Sequence, residues 1–107
     1  MTAPGCIEIV DAPLPEPGPG EVRIRLQGCG VCASNLGPWA GPPWMEFPTE
    51  PGAMGHEGWG IVDKIGPSVS GIEAGMRVAT LSGSSFAEYD LAAEDEVLPL
   101  PQALSDQ

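Results

Sequence analysis

Short apolar segments, separated by glycines and prolines, recur along the chain. Residues 21–27 alternate strictly between apolar and polar side chains, which predicts a strand with one face in the core and one in solvent. Further strands are predicted at residues 6–10, 59–65, 76–81, 86–91 and 97–100. Five or six short strands joined by long turns predict a mainly all-β domain, folded as a small, partly open barrel.

The connections between these segments are rich in residues that interrupt regular structure. Residues 13–20 (PLPEPGPG) are predicted to form a turn, because proline lacks a backbone donor and glycine is conformationally free. A short helical turn is predicted within residues 33–39, and residues 41–55 are predicted to form a loop. The polar tail, residues 102–107, is expected to fray. One or two helical turns are therefore expected in an otherwise β-stranded domain.

Length and charge limit the classes of function. The 107 residues suffice for one domain with a single core, and not for that core plus a dinucleotide-binding unit. Fifteen acidic residues and four basic ones give a formal charge of −11. Because nucleic acids and anionic membranes would be repelled, neither is expected as a partner.

The location of the protein is predicted from its N-terminus, its hydropathy and its cysteines. Residues 1–13 lack the features of a secretory signal, and no apolar run approaches the roughly 20 residues that span a bilayer. Three cysteines are an odd number, which argues against a disulfide scaffold. A reducing, cytoplasmic location is therefore expected.

A histidine and a cysteine form a candidate metal site. The single histidine, His56, lies between glycine-rich segments, where a lone histidine is more often structural than a ligand. Cys32 favours His56 as a metal ligand, because Cys32 follows a predicted strand and lies where a pocket can form. A thiolate and a neutral imidazole are preferred zinc ligands. One loop between two predicted strands separates the two residues, so their side chains can converge on one metal.

Three other polar residues are candidates with weaker support. Glu57 is adjacent to His56 and can tune or contact a metal. Ser34 can pass a proton from a metal-bound oxygen, or it can be an ordinary hydroxyl at a helix start. Asp63 is interpreted as a solvent-facing strand residue. The three tryptophans either line a pocket or pack in the core, and the sequence leaves both interpretations open.

Cys29 and Cys32 also form a CxxC pair, which has two other interpretations. A redox dithiol usually lies at a helix N-terminus in a thioredoxin-like βαβ unit, and no such pattern is present. Half of a structural zinc knuckle would require a second cysteine pair, whereas only Cys6 remains. Both alternatives are therefore less favoured than a mixed cysteine–histidine site.

Four motifs together resemble those of a known family. Residues 28–35 (GCGVCASN) resemble its CGVCxTD segment, and residues 55–57 its GHE segment. Residues 60–78 resemble its GxVxxVGxxVxxxxxGDRV segment, and FAEY at 86–89 with the Leu-Pro pair at 98–99 resembles the end of the domain. The chain thus resembles the GroES-like N-terminal, catalytic domain of zinc-dependent medium-chain dehydrogenases of the alcohol dehydrogenase type.

This resemblance implies a GroES-like fold and an oxidoreductase site. It implies that Cys32 and His56 are catalytic zinc ligands, that Glu57 is an acid on or beside the metal, and that Ser34 belongs to the proton path. The zinc of this family acts as a Lewis acid on an alcohol or carbonyl oxygen, while hydride passes between the substrate carbon and NAD or NADP.

The sequence also departs from the family pattern. Asn35 replaces a common aspartate, so the ligand histidine would be oriented by a neutral amide. Gly37 replaces a relay histidine, so any proton path beyond Ser34 would run through water or the cofactor. The segment between Leu81 and Phe86 is too short for a structural-zinc lobe, so no structural zinc is predicted.

Further expectations concern what the chain can do alone. No GxGxxG follows a strand, so residues 1–107 are expected to form one GroES-like domain without a nucleotide-binding Rossmann domain and without cofactor-binding residues. The family's third zinc ligand lies beyond the matched region, so weak metal occupancy and little turnover are expected. The alternative is a free-standing GroES-like binding or assembly module. In either case, an exposed face can promote homo-oligomers.

Overall fold

The computed structural model describes residues 1–106, and Gln107, the last residue of the tail predicted to fray, lies outside the described residues. Within this range one antiparallel sheet contains five strands, namely β1 (Glu21–Cys29), β2 (Gly58–Ile65), β3 (Arg77–Thr80), β4 (Tyr89–Ala93) and β5 (Val97–Pro99). A 3-10 turn (Ala33–Asn35) leads directly into the helix α1 (Leu36–Ala40), and a second 3-10 turn (Glu94–Glu96) joins β4 to β5. The predicted mainly all-β fold with short helical turns is confirmed.

The strands are ordered β4-β1-β2-β3-β5. Because β4 and β5 are at the two ends of this order, the sheet keeps two edges and remains open. A compact set of aliphatic side chains covers its inner face. Its buried members are Val22, Ile24, Val62, Ile72, Val78, Ala92 and Val97, with Leu26, Val69 and Met76 packed against them.

Strand β1 shows the predicted alternation with one exception, because Arg23 is buried and not exposed as predicted. Its Nε donates to Asp63 Oδ1 (2.9 Å), and its Nη1 donates to the Pro15 carbonyl (3.0 Å) and to Glu16 Oε1 (3.1 Å). The pairing of β1 with β2 is irregular between Arg23 and Ile24. The partners that permit this burial come from β2 and the proline-rich turn, so the alternation of β1 alone does not reveal them.

The predicted strand at residues 6–10 is wrong. Its only ladder contact is an isolated bridge between Ala3 and Cys6, and the Ile9 side chain is fully exposed. β-prone side chains form a strand only when another strand pairs and packs with them. Within residues 1–106, the sheet provides no such partner here.

The other predicted strands are confirmed, with ends that differ by one or two residues, and by more in one case. The strand predicted at residues 86–91 begins at Tyr89, because Phe86 instead forms an isolated bridge with Gly52. The segment from Leu81 to Glu88 thus folds back on the loop that precedes β2. This contact is important for the candidate site.

The helices are short. Helix α1 has five residues, and in the part of the chain that the structure describes no helix has the length and apolar character needed to cross a membrane. Helix α1 lies in the long connection between β1 and β2, where the candidate residues are also found.

Candidate metal centre

The end of β1 and the start of β2 lie side by side, because the last residue of β1 pairs with the first residue of β2. One more hydrogen bond, from the Gly30 N–H to the Glu57 carbonyl (3.1 Å), extends this pairing beyond both strands. The two ends of the segment that connects β1 to β2 are therefore adjacent. Cys32 lies near the first end and His56 near the second, which brings the two side chains together.

Cys32, His56 and Glu57, called here the metal cluster, place their ligand atoms within 4.8 Å of one another. Cys32 is half-buried and Glu57 is exposed, so a small molecule can reach the cluster. With Zn–S and Zn–N distances of about 2.3 and 2.0 Å, ligand atoms on a zinc tetrahedron lie roughly 3.5 Å apart. A shift of about 1 Å would close the cluster on zinc, whose usual donors are thiolate, imidazole and carboxylate.

The Met54 carbonyl orients the imidazole of His56. The Nδ1–H of His56 donates to the Met54 carbonyl oxygen at 3.1 Å, and that oxygen can only accept. In the neutral ring Nε2 is then the acceptor and the atom available to a metal. A histidine ligand is commonly held in this way, by a hydrogen bond from its other ring nitrogen.

Asn35 connects the two segments that carry the metal cluster. Its Nδ2 donates to the Met54 carbonyl (2.8 Å), and its Oδ1 accepts from the Cys32 backbone N–H (3.0 Å). The Asn35 amide and the His56 ring therefore share the Met54 carbonyl as their hydrogen-bond acceptor. A carboxylate at this position could not donate to that carbonyl, so the amide suits this local arrangement.

Gly30 gives the Glu57 side chain its place. A Cβ atom at position 30 would overlap the Glu57 carboxylate and approach its Cβ within 3.2 Å. The carboxylate therefore occupies the space that any larger residue at position 30 would fill. A larger residue at position 30 would therefore displace the Glu57 carboxylate from its observed position.

The sulfur and the imidazole affect each other electrostatically. Hydrogen bonds from Ser34, followed by one from His56, lower the pKa of Cys32, although desolvation and then Glu57 oppose the effect. The contact with Cys32, and then that with the Met54 carbonyl, raises the pKa of His56. Both shifts favour a thiolate beside an imidazolium. A metal would meet a sulfur that loses its proton readily and would displace a proton from His56.

Ser34 and Cys29 differ in their relation to the metal cluster. Ser34 Oγ lies 3.3 Å from His56 Nε2, which places a hydroxyl at the predicted ligand atom. Cys29, in contrast, directs its thiol to the Gly30 carbonyl (3.4 Å), and desolvation raises its pKa. Cys29, Cys32 and Cys6 are all free thiols. Of the CxxC pair, only Cys32 belongs to the metal cluster.

Comparison with known proteins identifies the family. Residues 18–102 match the model of the alcohol dehydrogenase GroES-like domain. The chain belongs to this family. Human sorbitol dehydrogenase is 38% identical over 82 residues, which cover 76% of this chain and 23% of that protein. An alcohol dehydrogenase of Rhizobium meliloti (strain 1021) is 34% identical over 125 residues, with coverages of 90% and 36%.

A solved structure agrees with the family assignment. The crystal structure of an NAD-dependent alcohol dehydrogenase superposes with a TM-score of 0.82 at 28% identity, covering 96% of this chain and 38% of that one. The predicted GroES-like fold and the resemblance to alcohol dehydrogenases are confirmed. This GroES-like domain spans less than two fifths of each of these three proteins.

The tryptophans of this GroES-like domain differ in exposure. Trp59 is half-buried in β2, with the Arg77 guanidinium 5.6 Å from its ring centroid, so it packs against the sheet. Trp44 and Trp39 lie in the connection that carries the metal cluster and are exposed to 78% and 40%. Asp63, in turn, lies in β2 as an ion-pair partner of Arg23, outside the site.

Sequence reasoning missed two contributors to the site. The Met54 carbonyl has no side-chain signature, so nothing in the sequence identifies it. The bridging role of Asn35 has a faint signature, because an amide at the third position of a short helical turn can accept the N–H of the residue that begins it. The sequence shows this pattern, whereas the contact with Met54 depends on how the later part of the connection packs against the short helical turn.

Proposed function

We propose that this GroES-like domain is the zinc-binding, substrate-side part of an oxidoreductase that transfers hydride between an alcohol or carbonyl substrate and NAD or NADP. The observation that carries the proposal is the metal cluster, in which sulfur, nitrogen and oxygen donors approach within 4.8 Å. Family membership supports it, because the relatives include sorbitol and alcohol dehydrogenases.

Each residue of the centre has a distinct role in this proposal. Cys32 Sγ, His56 Nε2 and a Glu57 oxygen would hold zinc, with Glu57 as the most easily exchanged donor because it is exposed. When bound, zinc supplies Lewis-acid activation of the substrate oxygen. Ser34 lies 3.3 Å from His56 Nε2 and would exchange a proton with that oxygen. With glycine at position 37, water or the cofactor would continue the proton path.

The nicotinamide would be bound by a nucleotide-binding domain, present in the same chain or in a partner. The three compared proteins are each much longer than the matched region, and one is described as NAD-dependent. We propose that residues 1–107 form the GroES-like domain alone and hold zinc weakly without a third strong ligand. No turnover is expected from this domain by itself, and the cytoplasm remains the proposed location.

Metal binding and turnover can be tested separately. Equilibrium dialysis with zinc at neutral pH should show weak, saturable binding of one zinc per chain, and tight binding would contradict the proposed weakness. For turnover, the chain would replace the matched region of the Rhizobium meliloti alcohol dehydrogenase, and the resulting fusion would be assayed with NAD, NADP and a panel of alcohols and polyols. Activity that requires both domains and is lost with a chelator supports the proposal. A zinc-loaded, folded and cofactor-binding fusion that turns over no alcohol would contradict it.

A second candidate, a binding or assembly module without redox activity, has one supporting observation. Large apolar side chains are exposed in and beside the connection that carries the metal cluster, namely Val31 (81%), Leu36 (67%), Trp39 and Trp44. Such a surface favours contact with another domain or a second copy. Analytical ultracentrifugation would show dimers or larger species at high concentration, whereas a monomer at all concentrations would contradict self-association. Loss of association on adding the nucleotide-binding domain would favour the oxidoreductase.

A further inference from the structure

A buried polar cluster lies next to the metal centre. Asp90 in β4 accepts hydrogen bonds at Oδ2 from Ser85 Oγ (2.9 Å) and from Ser82 Oγ. The two hydroxyls lie 3.4 Å apart, and Ser82 Oγ also accepts from the Ser84 N–H (3.3 Å). Asp90, Ser82 and Ser85, called here the serine–aspartate cluster, are 3%, 7% and 1% exposed.

The position of Asp90 is unusual for a carboxyl group. It shares its face of β4 with Ala92, a member of the apolar core. A carboxyl group loses hydration when it is buried, a cost that an aliphatic side chain at the same place would not carry. The presence of a carboxyl group at position 90 is therefore explained best by its hydrogen bonds, which hold the loop formed by residues 82–86 in place.

This loop is attached to the segment that carries His56. The Met54 N–H donates to the Gly83 carbonyl (3.0 Å), the Ser85 N–H to the Gly55 carbonyl (3.0 Å), and the Phe86 N–H to the Gly52 carbonyl (3.1 Å). Three backbone hydrogen bonds thus fix the residues just before the histidine. One of them fixes Met54, whose carbonyl orients the His56 ring.

Two glycines beside His56 allow this close packing. A Cβ atom at Gly55 would lie within 2.7 Å of the Ser85 carbonyl carbon and collide with the Phe86 nitrogen. A Cβ atom at Gly58 would approach the Ser85 Cβ within 2.6 Å and collide with its hydroxyl. Ser85 therefore packs on both sides of the histidine while its hydroxyl is held by Asp90. A shift of Ser85 must move the backbone next to His56.

We propose that Asp90 is a positioning residue for the metal centre. Through Ser82 and Ser85 it fixes the loop 82–86, and that loop fixes the Met54 carbonyl and the orientation of His56. The effect on metal affinity rests on the proposed zinc function, whereas the effect on the imidazole does not require it. Asp90 touches neither substrate nor metal in this proposal.

The orientation of His56 can be measured in the metal-free chain. His56 is the single histidine, so its side-chain nitrogen resonances are unambiguous in long-range proton–nitrogen NMR correlations. At a pH where the ring is neutral, the wild-type chain should hold the Nδ1–H tautomer. Asp90→Ala should shift the ring towards a mixture of tautomers, and Asp90→Asn, which keeps one acceptor, should restore the wild-type pattern in part. Zinc affinity should fall about tenfold in Asp90→Ala, as for other residues that orient a metal ligand.

Further variants keep the test decisive. Ser85→Ala removes one hydroxyl and should give a smaller change in the His56 tautomer and in zinc affinity. This variant provides the test if Asp90→Ala folds poorly. Asp63→Asn is the matched control, because it weakens the ion pair with Arg23 in β2 without contacting the loop. Urea unfolding would verify that the compared variants are folded.

The possible results separate this inference from the proposed function. An unchanged His56 spectrum and unchanged zinc affinity in both Asp90→Ala and Ser85→Ala would overturn it. An equal change in Asp63→Asn would also overturn it, because general loss of stability would then explain the effect. A changed tautomer in a chain that binds no zinc in any form would support positioning and contradict the zinc function.

Discussion

The metal cluster and the serine–aspartate cluster are two polar groups of similar size with opposite surroundings. The first lies on loops and is accessible to solvent. Hydrogen bonds from Ser34 lower the pKa of its thiol, and contact with Cys32 raises the pKa of its imidazole. The second is buried, and its carboxyl group accepts hydrogen bonds from two hydroxyls. In our proposal the two clusters divide the work, because the buried one positions the open one that would bind the metal.

The two clusters are connected through the backbone. The loop 82–86 carries two members of the buried cluster. Backbone hydrogen bonds join this loop to the segment 52–55, which ends just before His56. Substitutions in the metal cluster should therefore change binding and leave stability nearly unchanged. Substitutions in the serine–aspartate cluster should change stability directly and binding indirectly.

The largest expected effect separates Cys32 from Cys29. Cys32→Ser should lower zinc affinity by at least about a hundredfold, because thiolate is a preferred zinc ligand and a neutral hydroxyl is a poor substitute. Cys29→Ser is the matched control and should retain wild-type affinity, because its thiol is directed to the Gly30 carbonyl. Titration with Co²⁺, followed by the thiolate-to-metal absorption band and competed with zinc, measures both. An equal loss in Cys29→Ser would favour a dithiol site over the metal cluster.

The next effect concerns stability. Asp90→Ala should lower the free energy of unfolding by about 2–4 kcal/mol, because two buried hydroxyls lose their common acceptor. Glu57→Gln should leave the free energy of unfolding nearly unchanged, since Glu57 is exposed, although it should weaken zinc binding. Urea unfolding followed by tryptophan fluorescence compares the two variants. If Glu57→Gln were the more destabilising one, the division between the clusters would be wrong.

A smaller effect tests the space reserved for Glu57. Gly30→Ala should weaken zinc binding about tenfold, because the added methyl displaces the carboxylate from the cluster. Gly37→Ala is the control, because a Cβ atom there meets no heavy atom within 4 Å. Isothermal titration with zinc measures both, and a wild-type affinity in Gly30→Ala would show that Glu57 is not a ligand.

The smallest expected effect is in thiol reactivity. At neutral pH, Cys32 should react with iodoacetamide several-fold faster than Cys29, because its lowered pKa gives more thiolate while desolvation raises the pKa of Cys29. Raising the pH through the Cys29 range should reduce the difference. Peptide mass spectrometry after timed alkylation reports each site. Zinc should protect Cys32 and leave Cys29 unaffected, and the reverse pattern would contradict the assignment of the ligand.

The sequence predicted strands best where one face is apolar and a partner exists. β1 and β2 were predictable because their alternation matches the period of a strand and both lie within the sheet. Residues 6–10 have the same β-prone composition, yet Ile9 is exposed, because pairing is a property of the neighbour and not of the segment. Arg23 is the opposite case, a charged side chain buried because Asp63 and two groups of the turn meet its donors.

The sequence by itself determined the donor types, namely Cys32, His56 and Glu57, together with the strands on either side of them. Only the tertiary structure decided that the last residue of β1 pairs with the first of β2, which brings donors from distant positions to one point. It also decided the ring orientation through the Met54 carbonyl and the support from Asp90. The physical reason is that donor chemistry belongs to each side chain, whereas distance and orientation depend on how separate segments pack together.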